Sequence, residues 1–223
     1  AATLRCSACG SSICGVPCAE KWWKKHRPEC RRLQAVAFGE EYAREEDRSY
    51  RMINAAGQGD LRSVRRLQIE LSVAVARTKF AKAADAAMRT FLDFIDPREK
   101  WTAAYCAAQE NQPKIIRLLH EMRADLDKPN TVDGGGAPAH IAAQKGHTAM
   151  VQLLYDLGAD VHRAANDGTR PIHDAAGDGH DKTVLLLLSL RASIDAQDNE
   201  GRTPCWTAAF EGHTKVVRLL LLH

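Results

Sequence analysis

Asn199-Glu200-Gly201-Arg202-Thr203-Pro204-Cys205-Trp206-Thr207-Ala208-Ala209 decides the fold, because its landmarks recur upstream at a fixed distance. Pro138, Pro171 and Pro204 are 33 residues apart, and so are Gly146-His147, Gly179-His180 and Gly212-His213. A fixed period of this size marks stacked structural units. Each unit runs in the same order: a polar Asp/Gly turn, a proline, an alanine pair, Gly-His, then a run rich in Val and Leu. Proline suits the first turn of a helix, where its missing N–H would have no partner. The pairs Ala142-Ala143, Ala175-Ala176 and Ala208-Ala209 let helices approach closely. Glycine can end the first helix in a left-handed conformation. The leucines of the second helix then fill the core.

This region resembles ankyrin repeats, whose pattern is roughly D-x-x-G-x-T-P-L-H-x-A-A. Gly158-Ala159-Asp160-Val161 also matches the loop that follows the second helix of that family. The sequence departs from the pattern at Trp206, where the family has His, and at Ala137 and Arg170, where it has Thr. The usual Thr-to-His hydrogen bond is therefore expected to be missing from those units, at some cost in local rigidity. Thr102 to Leu126 forms another unit, with Ala107-Ala108 placed 35 residues before the next alanine pair. Its two extra residues fall in the loop around Pro129 to Gly136. Ile53 to Leu61 and Val64 to Leu67 form a degenerate opening unit, 52 residues before the next. The excess lies in Leu71 to Asp96, read as an elongated second helix or an inserted one.

The second informative region is the first thirty residues, where Cys6, Cys9, Cys14, Cys18, His26 and Cys30 follow the spacing C-x2-C-x4-C-x3-C-x7-H-x3-C. Close pairs of thiolate or imidazole donors can reach one ion, and a tetrahedral zinc site needs four such ligands. These six are therefore candidate Zn2+ ligands. The alternative is a set of buried or disulfide-bonded cysteines, which suits a small secreted domain better. The stretch Ile13 to Cys30, ending Trp-x2-His-x3-Cys, resembles the second half of a MYND zinc finger. In that family ligand pairs interleave, the first and third sharing one ion, the second and fourth the other. The resemblance implies that Cys6, Cys9, His26 and Cys30 complete one site. It leaves Cys14 and Cys18 awaiting a pair that would precede Ala1. Zinc held by four protein ligands is structural, and a finger this small folds largely on the free energy of metal binding.

The expected architecture is mainly α: an ankyrin-repeat α-solenoid with a small zinc-stabilised N-terminal finger. Residues 1–30 are the finger and 31–51 a charged connecting helix. Residues 52–223 are the repeats, in units 52–97, 98–130, 131–165, 166–198 and 199–223. In the connecting stretch, opposite charges such as Arg44 and Asp47 support an exposed helix. The C-terminal unit has no polar outer face, so Ala208, Val216, Leu219 and Leu220 are expected to be exposed on one side.

The 223 residues, 45% of them hydrophobic, fit a globular chain of a metal module plus a repeat stack. Apolar runs such as Val184 to Leu188 fall far short of the roughly 18 residues that would span a bilayer. No signal-peptide pattern opens the chain, and paired thiols intended for zinc imply a reducing compartment, cytosol or nucleus.

The net charge of +3 is unevenly spread. Residues 1–34 hold seven Lys/Arg against two Glu, and residues 131–223 hold eight against eleven Asp/Glu. The basic patch around Lys21, Lys24, Lys25, Arg27, Arg31 and Arg32 could meet phosphates, but its spacing is not that of a C2H2 recognition helix. Fingers of the MYND type are known mainly for binding short proline-containing peptides, which the resemblance assigns here to Trp23, Lys24 and Lys25.

Stacked helix pairs create an extended concave surface for protein partners. Its candidates here are Asp133, Asn166, Asp167, Asn199 and Glu200 at the turn tips, with Gln144, Lys145, Asp174, Asp178, Phe210 and Glu211 on the first helices. Catalysis is not expected, because His140, His147, His173, His180 and His213 occupy framework positions of the repeat. Cys106 and Cys205 sit at core positions. The expected function is a monomeric protein-binding adaptor. The alternatives are a non-catalytic part of a SET-domain lysine methyltransferase and a nucleic-acid-binding co-regulator.

Overall fold

The computed structural model describes residues 4–5, 12–13, 41–76, 92–93, 101–131 and 134–223. The chain divides into two units, Ala1–Ser49 and Tyr50–His223. In the first, strands β1 (Leu4–Arg5) and β2 (Ser12–Ile13) pair antiparallel, Leu4 opposite Ile13 and Arg5 opposite Ser12. The candidate zinc ligands Cys6, Cys9, Cys14, Cys18, His26 and Cys30, and the finger residues Trp23, Lys24 and Lys25, lie outside the described residues.

Helix α1 (Glu41–Gln58) runs without a break across the boundary read from the sequence at 51/52. Helix α2 (Leu61–Ala76) is sixteen residues long. It thus enters the Ala-rich stretch as an elongated second helix for at least its first residues. The later helices alternate short and long. The first helices are α3 (Ala103–Gln109), α5 (Pro138–Gln144), α7 (Pro171–Gly177) and α9 (Pro204–Phe210). The second helices are α4 (Pro113–Glu121), α6 (Thr148–Asp156), α8 (Asp181–Ser189) and α10 (Thr214–Leu222). First helices pack on first helices in chain order, second helices likewise, and each first helix packs on its own second helix.

Alanines make that close packing possible. Ala107, Ala108, Ala142, Ala143, Ala175, Ala176 and Ala208 are buried along the first helices. Ile116, Leu119, Val151, Leu154, Val184, Leu187 and Val216 fill the space from the second. At roughly 1.5–3 kcal/mol for each large apolar side chain withdrawn from water, this seam dominates the stabilising side of folding. Leu92 joins the same core.

Gly146, Gly179 and Gly212 end their first helices at φ of 67°, 75° and 80°. A second constraint acts on the first two. A Cβ added at Gly146 would stand 2.5 Å from Nδ1 of His180, and one at Gly179 2.5 Å from that of His213. Repeat glycine and next-unit histidine therefore form one contact. His180 Nε2 lies 2.8 Å from the Gln144 carbonyl and His147 Nε2 3.0 Å from that of Gln109, so these rings reach back one unit.

The two-residue insertion sits where the spacing placed it. In the regular turns Ala165 N–H donates to Thr169 and Asp198 N–H to Arg202, four residues on; Asn130 N–H donates to Gly136, six residues on. At the C-terminal end the expectation is corrected: Ala208, Val216 and Leu220 are buried, and Leu219 is half-buried. Contact with α7 and α8 covers them, and the exposed apolar surface is instead Trp206, Phe210, Leu221 and Leu222. Among the described residues no helix is long and apolar enough to cross a membrane.

Candidate partner-binding face

The turn tips are tied to one another before they offer anything to a partner. Asn166 N–H donates to the Gly134 carbonyl at 2.6 Å, and Asn199 N–H to that of Asp167 at 3.0 Å. The Asn199 side-chain amide donates to the Asn166 carbonyl at 3.0 Å. Asn199 therefore serves the stack, while Asn166, Asp167, Asn199 and Glu200 all remain exposed. Asp167 turns its carboxylate on Thr169, accepting from its N–H at 3.0 Å and from its hydroxyl at 2.6 Å. Asp133 lies outside the described residues.

Behind the tips, each first helix is fixed at its N-terminus by one of two devices. Thr102 Oγ1 accepts from Tyr105 N–H at 3.1 Å, and Thr203 Oγ1 from Trp206 N–H at 3.3 Å, the ordinary N-cap bond. In the middle units the threonine is absent, and the ring three residues on takes over. His140 Nδ1 accepts from Ala137 N–H and His173 Nδ1 from Arg170 N–H, each at 3.1 Å. With Nδ1 accepting, the proton sits on Nε2, which donates to Thr169 O at 3.3 Å from His140 and to Ala196 O at 2.9 Å from His173. Burial holds both imidazoles below the usual histidine range, so they are neutral at pH 7. The framework role expected for His140, His147, His173 and His180 is thus what the hydrogen bonds show.

Two candidates on the first helices behave differently from one another. Phe210 is 73% exposed and stacks on Trp206 at 5.1 Å between centroids and 9° between planes. The Arg202 guanidinium lies over the Trp206 ring at 5.7 Å, held by Asp198 at 2.6 Å and Glu200 at 3.2 Å. Trp206 and Arg202 were not among the sequence candidates. The signal available was the i, i+4 spacing of Trp206 and Phe210, which puts both rings on one helix face.

Asp174, expected as an exposed contact, is instead half-buried. It occupies the position of the buried Ile141 and Cys106, and of Thr207 in the next unit. Its Oδ2 is enclosed without a hydrogen-bond partner. Burial, with the nearby charges of Asp167 and Asp178, pushes its carboxyl up to about 8. Asp178 at the end of α7 is exposed, as are Gln144, Lys145 and Glu211. Among the described residues no group of His, Cys, Asp and Glu is arranged to hold a metal.

A family model described as "Ankyrin repeats (3 copies)" matches residues 52–165 and 139–223. The chain belongs to the ankyrin-repeat family. Ankyrin stacks imply a protein-interaction scaffold, and the fold is mainly helical, as the 33-residue period indicated. Among curated proteins the chain is similar to "Ankyrin repeat and SOCS box protein 6" of Homo sapiens and of Pongo abelii. Each is 32% identical over 97 residues, which is 42% of this chain and 23% of the relative. The Mus musculus protein of that name is 33% identical over 78 residues, 34% of this chain and 18% of the relative. The chain thus spans about a quarter or less of the length of these ankyrin relatives.

Proposed function

We propose that the chain is a non-catalytic adaptor in which the ankyrin stack binds one protein partner and the N-terminal segment, as a MYND-type zinc finger, binds a short proline-containing peptide. The observation that carries the first half is the exposed, stacked Trp206–Phe210 pair on the last first helix. Aromatic side chains are over-represented among the residues that dominate binding energy, and a monomer gains nothing by leaving two of them in water. The second half rests on donor chemistry. Cys6, Cys9, His26 and Cys30 supply the four thiolate or imidazole ligands of a closed structural zinc site, and Cys14 with Cys18 supply half of another. The β1–β2 pairing brackets residues 6–11, which carry Cys6 and Cys9.

Linking two weak sites raises avidity through effective concentration without any new contact. The adaptor works as a monomer in a reducing compartment, cytosol or nucleus, where zinc thiolates persist. The names of the similar curated proteins also join an ankyrin repeat to a second module.

Affinity capture followed by mass spectrometry tests the first half, with wild type beside Phe210→Ser and a second-helix control, Leu185→Ser. Partners lost with Phe210→Ser and kept with Leu185→Ser support the reading; the reverse pattern removes it. Native mass spectrometry of protein purified without chelator or added metal tests the second. About one tightly held zinc per chain is expected, and none would end the finger assignment.

A further inference from the structure

The turn between α1 and α2 reproduces the turns of the later units bond for bond. Asp60 N–H donates to the Ala55 carbonyl and Val64 N–H to that of Asp60; Gln112 and Ile116 repeat this on Ala107 and Gln112, and His147 and Val151 on Ala142 and His147. The residue before each is at positive φ: Gly59 at 69°, Asn111 at 51° and Gly146 at 67°. A Cβ added at Gly59 would run into the Gln112 side chain, as one at Gly146 would into the His180 ring. These contacts settle the register of α2 on α4, in which Arg62 is the counterpart of Lys114 and Arg65 of Arg117.

The two helices pack side by side, with Val64, Leu67, Ile116 and Leu119 buried. Arg62, Arg65, Lys114 and Arg117 are all exposed, so two matched pairs of cations stand next to each other. Arg62, Arg65 and Ile69 recur at i, i+3 and i+7 and share one face of α2. Ile69 is 64% exposed. Among the described residues none of the four cations takes part in an ion pair. Glu70 is taken by Arg66 at 3.2 Å and Arg51 at 3.7 Å. The Asp60 carboxylate accepts from the N–H groups of Arg62 and Ser63 and from the Ser63 hydroxyl. Glu121, the one acid of α4, is exposed and forms no ion pair with Arg117. The repeat does not require the charges, because α6 has Ala149 and Gln152 at the same two positions and packs into the same core.

We propose that this face of α2 and α4 docks an acidic segment of a partner protein, whose carboxylates meet Arg62, Arg65, Lys114 and Arg117 while an adjoining apolar side chain rests on Ile69. It is a second surface, on the first two units, apart from the Trp206–Phe210 pair on the last. Three of the four cations are arginine, whose planar fork takes a carboxylate through two parallel hydrogen bonds. Ile69 favours a protein over phosphates, since a nucleic-acid backbone is held by charge and has no use for an isoleucine. A lipid surface needs more inserted apolar area than one such side chain.

The test is selection of a phage-displayed random dodecapeptide library on the full chain, followed by fluorescence anisotropy of the recovered peptides. They are measured against Arg65→Glu/Arg117→Glu, the milder Arg65→Gln/Arg117→Gln, and Phe210→Ser, all at exposed positions and all checked by circular dichroism. Acidic peptides carrying an apolar residue are expected, weakened about tenfold or more by charge reversal, less by neutralisation, and unchanged by Phe210→Ser. Basic or neutral peptides alone, or acidic ones indifferent to the charge reversal, overturn the inference. Acidic peptides lost with Phe210→Ser instead belong to the aromatic pair and remove this second surface. An oligodeoxythymidylate or phosphatidylserine vesicles bound more tightly than every recovered peptide, and released by the charge reversal, would assign the face to phosphate and overturn the inference as well.

Discussion

The outer two of the four regular ankyrin first helices and the inner two secure their N-termini with opposite halves of one device. α3 and α9 keep the threonine and have Tyr105 and Trp206 in place of the histidine. α5 and α7 keep the histidine and have Ala137 and Arg170 in place of the threonine. The difference teaches that each half suffices to satisfy a helix N-terminus, and that the halves are not equivalent. A threonine cap is local, ending at its own N3 amide. A histidine closes the same turn and also extends Nε2 to a carbonyl of a later turn, so it fastens the stack as well as the helix.

The largest test of that inequality is His173→Ala. It leaves Arg170 N–H and the Ala196 carbonyl without partners and opens a cavity at a residue that is only 2% exposed. A loss of roughly 2–4 kcal/mol in urea unfolding is expected, against about 1 kcal/mol for Thr102→Ala or Thr203→Ala. Equal losses would mean that the reach of Nε2 contributes nothing. Asp174→Ile, which restores the apolar side chain of Ile141, is expected to stabilise by roughly 1–3 kcal/mol at neutral pH.

The pH dependence separates the two kinds of unit. His140 and His173 have folded values below the ordinary 6.5, so their contribution is complete above that pH and is lost as pH falls through the lowered values. Asp174 has a folded value of about 8 against 3.8, so its contribution is complete below 3.8 and is lost as pH rises through 8. Stability should therefore fall with decreasing pH through the histidines and with increasing pH between 3.8 and about 8 through Asp174, and Asp174→Ile should remove only the second decline. Hydrogen exchange corrected for intrinsic rates should show acid loss of protection at Ala137 and Arg170 but not at Tyr105 and Trp206. The smallest effect is expected from Ala137→Thr, which adds the missing half for a gain of about 0.5 kcal/mol. A larger gain would show that the histidine alone leaves the helix poorly capped.

The repeat was legible because its landmarks are obligatory. Glycine at 146, 179 and 212 answers both a positive φ and the next unit's histidine, and such positions cannot drift. The two-residue loop insertion was legible for the same reason, from spacing alone. Asp174 was not, because a polar residue on a short helix reads as surface unless its position is compared with Ile141 and Cys106. The loss of the Thr-to-His bond at Ala137 and Arg170 is legible in the sequence, but not that the imidazole keeps the backbone amide. Sequence shows which partner is missing and gives no sign of where the remaining ring turns. Trp206 is legible as a departure from the repeat pattern, whereas its stacking on Phe210 is not, since stacking depends on rotamers rather than on residue types.

The most direct test of the ankyrin scaffold is site-specific photocrosslinking from inside the proposed face and outside it. Benzoylphenylalanine is placed at position 210 and, separately, at exposed position 185 on α8, and each protein is irradiated in a cell extract. Discrete adducts to another protein from position 210, with none from 185, are expected; adducts from 185 alone would contradict the assignment of the binding face.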